Sequence, residues 1–346
     1  MFIWQLALIK IMKKVLFFLI ILLQTLVYSQ VVGTPYITPP VEMQRLILDQ
    51  VSVTPSFAFS TRKLRADYLG FAIRLRRSTD NAEVDVTFDT NGLISDNSVA
   101  KIAVSGTSGL AVNSTQTLAS FRSGATLFVT IWYDQGANGY HGVQTTTARQ
   151  PVFSMASAGS SNQYASLLFS GLSNPQSIIV NQTMQTLLGN VTTGMGLRGT
   201  LSMIAKTTSN SEQFSFGYSS GSIRWSAHMN WSDGNCYVDL GTSTDASRAF
   251  ANGSRVNNYK NYILIRGNNF KTMRASGTSQ LNNGTMYNNA GLSGGSFGVG
   301  NAVVSPTASP IGFSGNIPEF ILFPEPLSQS QYGLLENNQI LFWGAY

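Results

Sequence analysis

Short runs in which polar and apolar residues alternate recur along most of the chain, and they constrain its fold more than any other feature. Residues 73–76 (Ile-Arg-Leu-Arg) and 214–216 (Phe-Ser-Phe) show the alternation most clearly. Because successive side chains of a β-strand point to opposite faces, such a run places one face in the core and the other in water. Gly, Asn and Ser residues separate the runs and favour turns. The sequence therefore predicts an all-β protein.

The alternating runs also predict the position of most strands. They lie at residues 71–75, 84–88, 127–133, 201–205, 213–218, 236–240, 262–266, 297–300 and 320–323. Many short antiparallel strands without a long linker favour one two-sheet sandwich. We expect its core to contain the inward-facing members of these runs: Ile73, Leu75, Phe128, Ile131, Val238, Leu240, Ile263 and Leu322.

Only two segments have helical character. Residues 57–68 carry Arg62, Lys63 and Arg65 beside apolar residues at helical spacing, which predicts a helix there. Residues 328–337 follow Pro326 and begin with a residue typical of a helix N-cap. This second helix would place Tyr332, Leu335 and Gln339 near one face: we expect both helices to lie at the periphery of the sandwich.

The N-terminal segment is typical of an export signal. Basic residues at 13 and 14 precede an apolar run at residues 15–23, and Val27 and Ser29 occupy the −3 and −1 positions before Gln30. A membrane span needs about 20 apolar residues, so a permanent anchor is the weaker alternative. We predict a signal peptide at 1–29 with the true start at Met12, an N-terminal arm at 30–55 and one domain at 56–346. The protein would be extracellular or on the cell surface, with the periplasm as an alternative.

Composition excludes several kinds of site. The single cysteine, Cys236, rules out an intramolecular disulfide and a Cys-cluster metal centre, and two histidines leave little for a His-based site. Charged residues make up only 11% of the chain, and removal of the lysines in the signal segment lowers the formal charge from +6 to about +3. We therefore expect no nucleic-acid partner.

The basic residues between positions 62 and 77 form a cluster in the sequence, but we expect them to be solvated or paired. They interleave with apolar residues, and acidic residues lie within a few positions. The basic residues are Arg62, Arg65, Arg74, Arg76 and Arg77, and the acidic partners are Asp67, Asp80, Glu83 and Asp85.

Several longer stretches resemble known families. Residues 60–70 (STRKLRADYLG), 73–80 (IRLRRSTD) and 132–141 (WYDQGANGYH) resemble the N-terminal half of the arabinofuranosidase B catalytic domain, a concanavalin A-like jelly roll. Residues 231–241, 317–323 and 335–339 resemble laminin-G-like jelly-roll proteins exported to the surface of Bacteroidetes. Together these stretches span residues 57–346, and the resemblance implies an antiparallel two-sheet jelly-roll sandwich with short peripheral helices.

The resemblance does not carry over the catalytic residues. A retaining glycosidase needs two carboxyl groups about 5 Å apart, one as nucleophile and one as acid/base. Aligned with the family, those positions hold Gly241 and Asn301. The family's adjacent-cysteine disulfide is also impossible here. We therefore expect no catalytic residue, with Asp233, Asp239 and Asp245 as the alternative carboxylates for a displaced site.

Two groups of residues are candidates for ligand binding, because aromatic rings stack on sugars while carboxylates and amides bind the hydroxyls. Each group also has a structural interpretation, as a turn or as core packing. Asp233-Gly234-Asn235 has oxygen ligands that suit calcium, but it lacks the repeated spacing of a calcium loop, so we expect no metal or cofactor. The candidate ligand-binding residues are Tyr133, Asp134, Tyr140, His141, Trp225, Trp231, Asp233 and Tyr237.

The sequence leaves three functions open. The first is an exported non-catalytic module that binds a glycan or a surface polymer in adhesion or surface assembly. The second is a divergent arabinofuranosidase-like hydrolase, and the third is a structural subunit of a cell-surface complex. In the first and third, the N-terminal arm could contact other surface proteins, and no membrane span would remain after cleavage of the signal.

Overall fold

A computed structural model describes most of the chain from Leu46 onwards. The described residues are 46–159, 161–171, 175–190, 197–209, 214–220, 223–242, 248–251, 256–268, 270–283, 295–304, 307–308 and 311–346. They belong to a compact unit that runs from Met43 to Tyr346. The predicted signal peptide and most of the predicted arm lie outside the described residues, so both stay predictions.

The described part of the chain is almost entirely β-structure. Short 3-10 helices lie at Ile47–Asp49 and Thr147–Arg149, and α-helices at α1 (Leu118–Arg122), α2 (Met184–Leu187) and α3 (Gln329–Trp343). None of the described helices is long and apolar enough to cross a membrane. The strands are β1 (Phe57–Ser60), β2 (Ile73–Arg77), β3 (Glu83–Val86), β4 (Val99–Val104), β5 (Thr115–Thr117), β6 (Leu127–Trp132), β7 (Gly142–Val143), β8 (Val152–Ala158), β9 (Tyr164–Ser170), β10 (Ile178–Val180), β11 (Gly189–Asn190), β12 (Leu197–Thr207), β13 (Phe214–Ser220), β14 (Ile223–His228), β15 (Asn235–Thr242), β16 (Ala249–Ala251), β17 (Lys260–Arg266), β18 (Lys271–Ala275), β19 (Thr278–Asn283), β20 (Phe297–Val299), β21 (Val303–Val304), β22 (Thr307–Ala308) and β23 (Ser314–Phe323).

The strands form two long rows that share hydrogen bonds at one place. The first row runs β5-β4-β3-β2-β6-β7-β10-β20-β13-β14-β15-β16. The second runs β19-β18-β17-β12-β23, and the far edge of β23 pairs with β1 and with β9. β9 pairs with β8, and β8 joins the first row through β6. Among the described strands all pairings are antiparallel except β13 with β21, which confirms the all-β antiparallel prediction.

Most core residues come from the inward faces of these two rows. Aromatic rings contact one another within the main cluster: the ring of Phe57 lies 6.0 Å from that of Phe320, and Phe216 stacks 6.0 Å from Phe297. A second cluster lies beneath α3, on the opposite face of β17 and β23. The predicted core residues Ile73, Leu75, Val238, Leu240 and Leu322 lie in the main cluster, and Ile263 lies in the second.

The prediction of a helix at residues 57–68 is wrong. Phe57–Ser60 is strand β1, which pairs with β23, and all four residues are buried. Phe57 and Phe59 enter the main core while Ala58 faces the second cluster, so β1 is covered on both sides. A strand buried on both faces has no polar face, so it lacks the alternation on which the sequence prediction depended.

The predicted inward phase of β6 is also wrong. Phe128 and Ile131 are half-buried, whereas Leu127, Val129 and Trp132 face the core. The register between β2 and β6 shifts between Arg74 and Leu75, where a β-bulge adds a residue to β6. Because a bulge changes the facing of the residues that follow it, simple alternation fails across this position.

Helix α3 confirms the predicted C-terminal helix and extends it. Ser328 caps the N-terminus in a capping box with Gln331, and Gly344 ends the helix with a positive φ of 63°. Leu335 and Gln339 are buried and Tyr332 packs at the margin of the second cluster, as the predicted helix face required. The helix packs against β12 and β17.

A buried ion pair joins α3 to the sheet. Arg62 donates to both carboxylate oxygens of Glu319, at 2.6 and 3.0 Å, and neither side chain is exposed. Ser60, Gln339 and Trp343 donate further hydrogen bonds to the same carboxylate. Burial opposes ionisation of Glu319, but Arg62 and these donors hold the pKa of its carboxyl below the ordinary value.

We predict that Arg62→Met will destabilise the protein by about 3–5 kcal/mol, because it leaves a buried carboxylate without its counter-ion. Urea unfolding at neutral pH measures the loss. The matched control is Arg122→Met, which removes an exposed pair with Asp96 and should cost less than about 1 kcal/mol. Equal losses in the two variants would contradict a central role for the buried pair.

Candidate functional site

The turn after β6 is held against the open edge of β1. The carboxylate of Asp134 accepts hydrogen bonds from the backbone N–H groups of Ala58 and Gly136, both at 2.7 Å, and of Tyr140 at 3.1 Å. The next residue, Gln135, donates its backbone N–H to the carbonyl of Ala58. Both side chains are almost fully buried, and burial raises the pKa of the Asp134 carboxyl. Asp134 therefore holds the backbone of this turn and of β1, and its assignment as a ligand-binding residue stays a prediction.

The aromatic neighbours of this turn are only partly available. The hydroxyl of Tyr133 donates to Asp85 at 2.5 Å, and Arg74 holds both oxygens of the same carboxylate at 2.7 Å. His141 is exposed and lies edge-on to the ring of Tyr133, with centroids 4.9 Å apart. Tyr140 is half-buried and packs on the main core. Of this first predicted group, His141 alone is freely accessible.

A continuous line of directly paired residues crosses the outer face of the first row. These residues alternate with the core residues of each strand, so their side chains point away from the main core. The middle of the line is apolar. Two glycines and a serine follow, and the line ends at the carboxylate of Asp239 on β15, next to the edge strand β16. In strand order the line is Lys101, Asp85, Arg74, Ile131, Val143, Ile179, Gly298, Gly217, Ser226 and Asp239.

Asp239 is the buried carboxylate at one end of this line. Arg248 donates to both of its oxygens, at 2.6 and 2.7 Å, and Arg224 approaches one of them at 3.5 Å. Asp239 has no exposed surface, whereas the side chains of Arg224 and Arg248 are 19% and 25% exposed. Burial raises the pKa of the Asp239 carboxyl, and the two arginines and Lys271 oppose that rise.

An aromatic group lies beside Asp239 on the same two strands. Tyr237 is two residues from Asp239 and pairs with His228, and both contact the ring of Trp231, at 5.6 and 4.4 Å between centroids. Trp231 and Tyr237 are half-buried, so part of each ring is open to solvent. The guanidinium of Arg248 lies 4.8 Å from the centre of the Tyr237 ring. Aromatic and charged groups are therefore adjacent here.

Trp225 does not belong to this surface. Its side chain is fully buried and packs beside Phe216 in the main core, on the opposite face of β14 from Arg224 and Ser226. The side chain is not accessible to a ligand in this structure, and the assignment of Trp225 as a ligand-binding residue stays a prediction. The sequence interpretation of core packing holds for this residue, because one-residue steps along a strand reverse the face.

The two predicted groups do not form one site. Between the strand of Tyr133 and the strand of Trp225 lie β7, β10, β20 and β13. At about 4.8 Å for each strand, the groups lie about 24 Å apart along the sheet. A single small ligand cannot contact both.

Gly241 lies on β15 two residues from Asp239, whereas Asn301 lies beside Gly298, three strands away. Gly241 pairs directly with Arg224 and has a positive φ of 134°, a conformation that favours glycine. Asn301 is fully buried, and its backbone carbonyl would lie 2.2 Å from a Cβ added at Gly298. Neither residue carries a carboxyl group. Of the alternative carboxylates, Asp239 is paired with arginine, Asp233 is exposed, and Asp245 lies outside the described residues.

The Asp233-Gly234-Asn235 segment is a tight turn. The carboxylate of Asp233 accepts a hydrogen bond from the backbone of Asn235 at 2.9 Å and from the Tyr237 hydroxyl at 2.6 Å. The Tyr237 hydrogen bond lowers the pKa of Asp233. Within the part of the chain that the structure describes, no group of three His, Cys, Asp or Glu side chains could hold a metal ion. The local hydrogen bonds therefore support the turn interpretation.

The basic residues near the N-terminus of the domain are paired largely as the sequence predicted. Arg65 pairs with Asp67, Arg74 with Asp85 and Arg77 with Asp80. Arg76 donates instead to Gln150 and Asn81. The exception is Arg62, whose buried partner lies 257 residues away at Glu319, beyond any local pattern.

Sequence reasoning missed Arg224, Ser226 and Arg248 as members of the Asp239 surface. Arg224 and Ser226 lie on β14, Asp239 lies on β15 and Arg248 directly precedes β16, so only the register between these strands places them together. One sequence signal was present: Arg224, Ser226 and His228 occupy the alternate positions of a strand whose other positions are apolar.

Comparison with solved structures identifies similar folds. An arabinofuranosidase in complex with arabinofuranosyl-α-1,2-xylobiose aligns with 86% of this chain, with a TM-score of 0.57 and 16% sequence identity. A GH54 α-L-arabinofuranosidase soaked with a cyclic sulfate inhibitor also covers 86%, with a TM-score of 0.56 and 15% identity. The chain matches only 64% and 65% of the length of those proteins. No family model and no curated protein matches the sequence. The likeness shows a shared fold.

We predict that Asp134→Asn will destabilise the protein by about 1–3 kcal/mol, because an amide offers one acceptor oxygen where three backbone N–H groups need partners. Thermal and urea unfolding measure the change. The control, Asp233→Asn, alters an exposed carboxylate with two local hydrogen bonds and should change stability little. If Asp134→Asn retained full stability, the structural role assigned to this turn would be wrong.

Proposed function

We propose that the chain is exported and that its domain is a jelly-roll sandwich that binds a glycan without cleaving it. The two rows of strands with a core between their inward faces support the sandwich, as does the likeness to the arabinofuranosidase fold. The apolar run at residues 15–23 and the small residues before Gln30 support export. Attachment to a surface polymer would make the protein an adhesion or surface-assembly component.

The proposed binding surface is the outer face of β14 and β15, which we call the Asp239 face: Arg224, Ser226, Tyr237, Asp239 and Arg248, together with Trp231 at the end of β14. The observation that carries the proposal is the pairing of part-exposed aromatic rings with charged groups on adjacent positions. Rings of this kind stack on the apolar faces of sugars, and the neighbouring polar groups bind hydroxyls.

The chemistry of the described residues supports the proposal that the glycan is not cleaved. Retaining hydrolysis requires a nucleophilic carboxylate and a second carboxyl as acid/base. Gly241 and Asn301 cannot supply either, and both oxygens of Asp239 already accept hydrogen bonds from Arg248. The divergent-hydrolase alternative shares the same fold, so activity must separate the two functions.

We predict that Trp231→Ala will weaken retention of the protein on its glycan by at least tenfold, because one stacked ring supplies much of the contact area in such sites. A glycan array with the purified mature domain identifies the ligand, and affinity electrophoresis measures the loss. The control is Tyr346→Ala, an exposed aromatic residue just beyond α3, which should bind as the unaltered protein does.

The same preparation should release no arabinose from arabinofuranosyl substrates above background. Release that disappears in Asp239→Asn would establish the hydrolase alternative. Unchanged retention in Trp231→Ala would contradict the Asp239 face as the binding surface.

A further inference from the structure

The Asp239 face holds more positive than negative charge. Arg248, Arg224 and Lys271 all act on the single carboxylate of Asp239. Arg248 donates a hydrogen bond to each oxygen of the Asp239 carboxylate, so this one guanidinium pairs with the one carboxylate. Arg224 approaches only one oxygen at 3.5 Å, too far for a good hydrogen bond. Within the described residues, the carboxylate that Arg224 approaches is thus already held by Arg248, and burial lowers the pKa of the Arg224 guanidinium.

Two buried donors on this face lack partners. Within the described chain, neither Nε of Arg224 nor the hydroxyl of Ser226 makes a hydrogen bond. Ser226 has no exposed surface, lies two residues from Arg224 on the same strand face, and pairs directly with Asp239 across β14 and β15. Buried polar groups without partners are rare, and two neighbouring ones indicate a place where something binds. Nε of arginine can only donate and a serine hydroxyl can donate, so an acceptor would satisfy both groups.

The charge and the geometry define that acceptor. A guanidinium with an adjacent hydroxyl donor matches an anionic oxygen group, and the planar fork of arginine suits the two oxygens of a carboxylate. Tyr237 lies two residues along the strand from Asp239, a distance of about 7 Å. Arg224 pairs with Gly241, further along the strand, but its guanidinium reaches to 3.5 Å from the Asp239 carboxylate. A sugar ring on Trp231 and Tyr237 can therefore place a carboxylate near the Arg224 guanidinium.

We propose that the Asp239 face binds the carboxylate of an acidic sugar, a uronic acid residue of a polysaccharide, through Arg224 and Ser226. The inference rests on the proposed glycan-binding function and adds the class of sugar. It gives Arg224 and Ser226 the role of specificity-determining residues, while Arg248 keeps Asp239 occupied and positions Tyr237 by its contact with the ring.

Polygalacturonate, its fully methyl-esterified form, alginate, a sulfated carrageenan and neutral arabinan provide the probes for affinity electrophoresis of the mature protein. The esterified polymer keeps the sugars and removes the charge. We expect at least tenfold stronger retention on polygalacturonate or alginate than on the esterified polymer. Arg224→Gln should abolish that preference, and Ser226→Ala should reduce it several-fold.

Two controls separate binding from folding and from net charge. Ser226→Ala removes a hydroxyl that has no partner, so its melting temperature should equal or exceed that of the unaltered protein. Arg122→Gln removes the same charge from an exposed pair elsewhere and should bind within twofold of the unaltered protein. An equal loss in Arg122→Gln and Arg224→Gln would show general charge attraction and overturn the inference.

The other outcomes also decide. Equal retention on the acidic and esterified polymers, or on arabinan alone, would overturn the acidic-sugar inference and leave glycan binding intact. Retention on carrageenan only would show that the face binds a sulfate and no carboxylate, and it would overturn the assignment of the ligand as a uronic acid. Retention on none of the polymers, together with no ligand on a glycan array, would refute glycan binding itself.

Discussion

The buried pair of Arg62 and Glu319 is the interaction on which the arrangement of the elements depends. Glu319 lies in β23, the strand that pairs with β12 on one edge and with β1 and β9 on the other. Its carboxylate collects hydrogen bonds from Ser60 at the end of β1 and from Gln339 and Trp343 in α3. A fully buried ion pair is stable in few geometries, because each buried charged group that lacks a hydrogen-bond partner destabilises the folded state. The buried pair therefore favours one register of β1 against β23 and one packing position of α3 on the sheet.

The alternation of polar and apolar residues correctly predicted strands with one face exposed to solvent. It failed for strands that do not expose one regular face. Ile73 and Leu75 on β2, and Val238 and Leu240 on β15, are buried as predicted. β1 is covered on both faces and was mistaken for a helix. In β6 a bulge places Val129 and Trp132 inward in place of Phe128 and Ile131. Burial on a second face and bulges depend on partners distant in sequence, which no local pattern records.

The same limit applies to the candidate site. The most recognisable motif lies around Asp134 and Gln135. Its side chains accept hydrogen bonds from the backbone of β1 and of the segment that follows it, and this role explains its distinct sequence. Trp231, Asp233 and Tyr237 could be grouped from the sequence because they are close in the chain, and their role in binding stays a prediction. Arg224 and Arg248 come close to Asp239 only because of the strand register. The sequence therefore does not show that these two arginines approach one carboxylate.

The structural contacts beneath α3 and the proposed binding surface lie on different faces of the sheets in this molecule. The ion pair and the second cluster lie beneath α3, against β17 and β23, whereas the Asp239 face points outward from β14 and β15. Substitution of an outward side chain leaves the core contacts of its strand unchanged, because neighbouring residues face the other way. An outward position such as Gly241 can therefore lack the carboxyl group that a retaining hydrolase needs without loss of the core. Under the proposed function, the charged groups of the Asp239 face decide what it binds, and its described residues carry two arginines and one carboxylate.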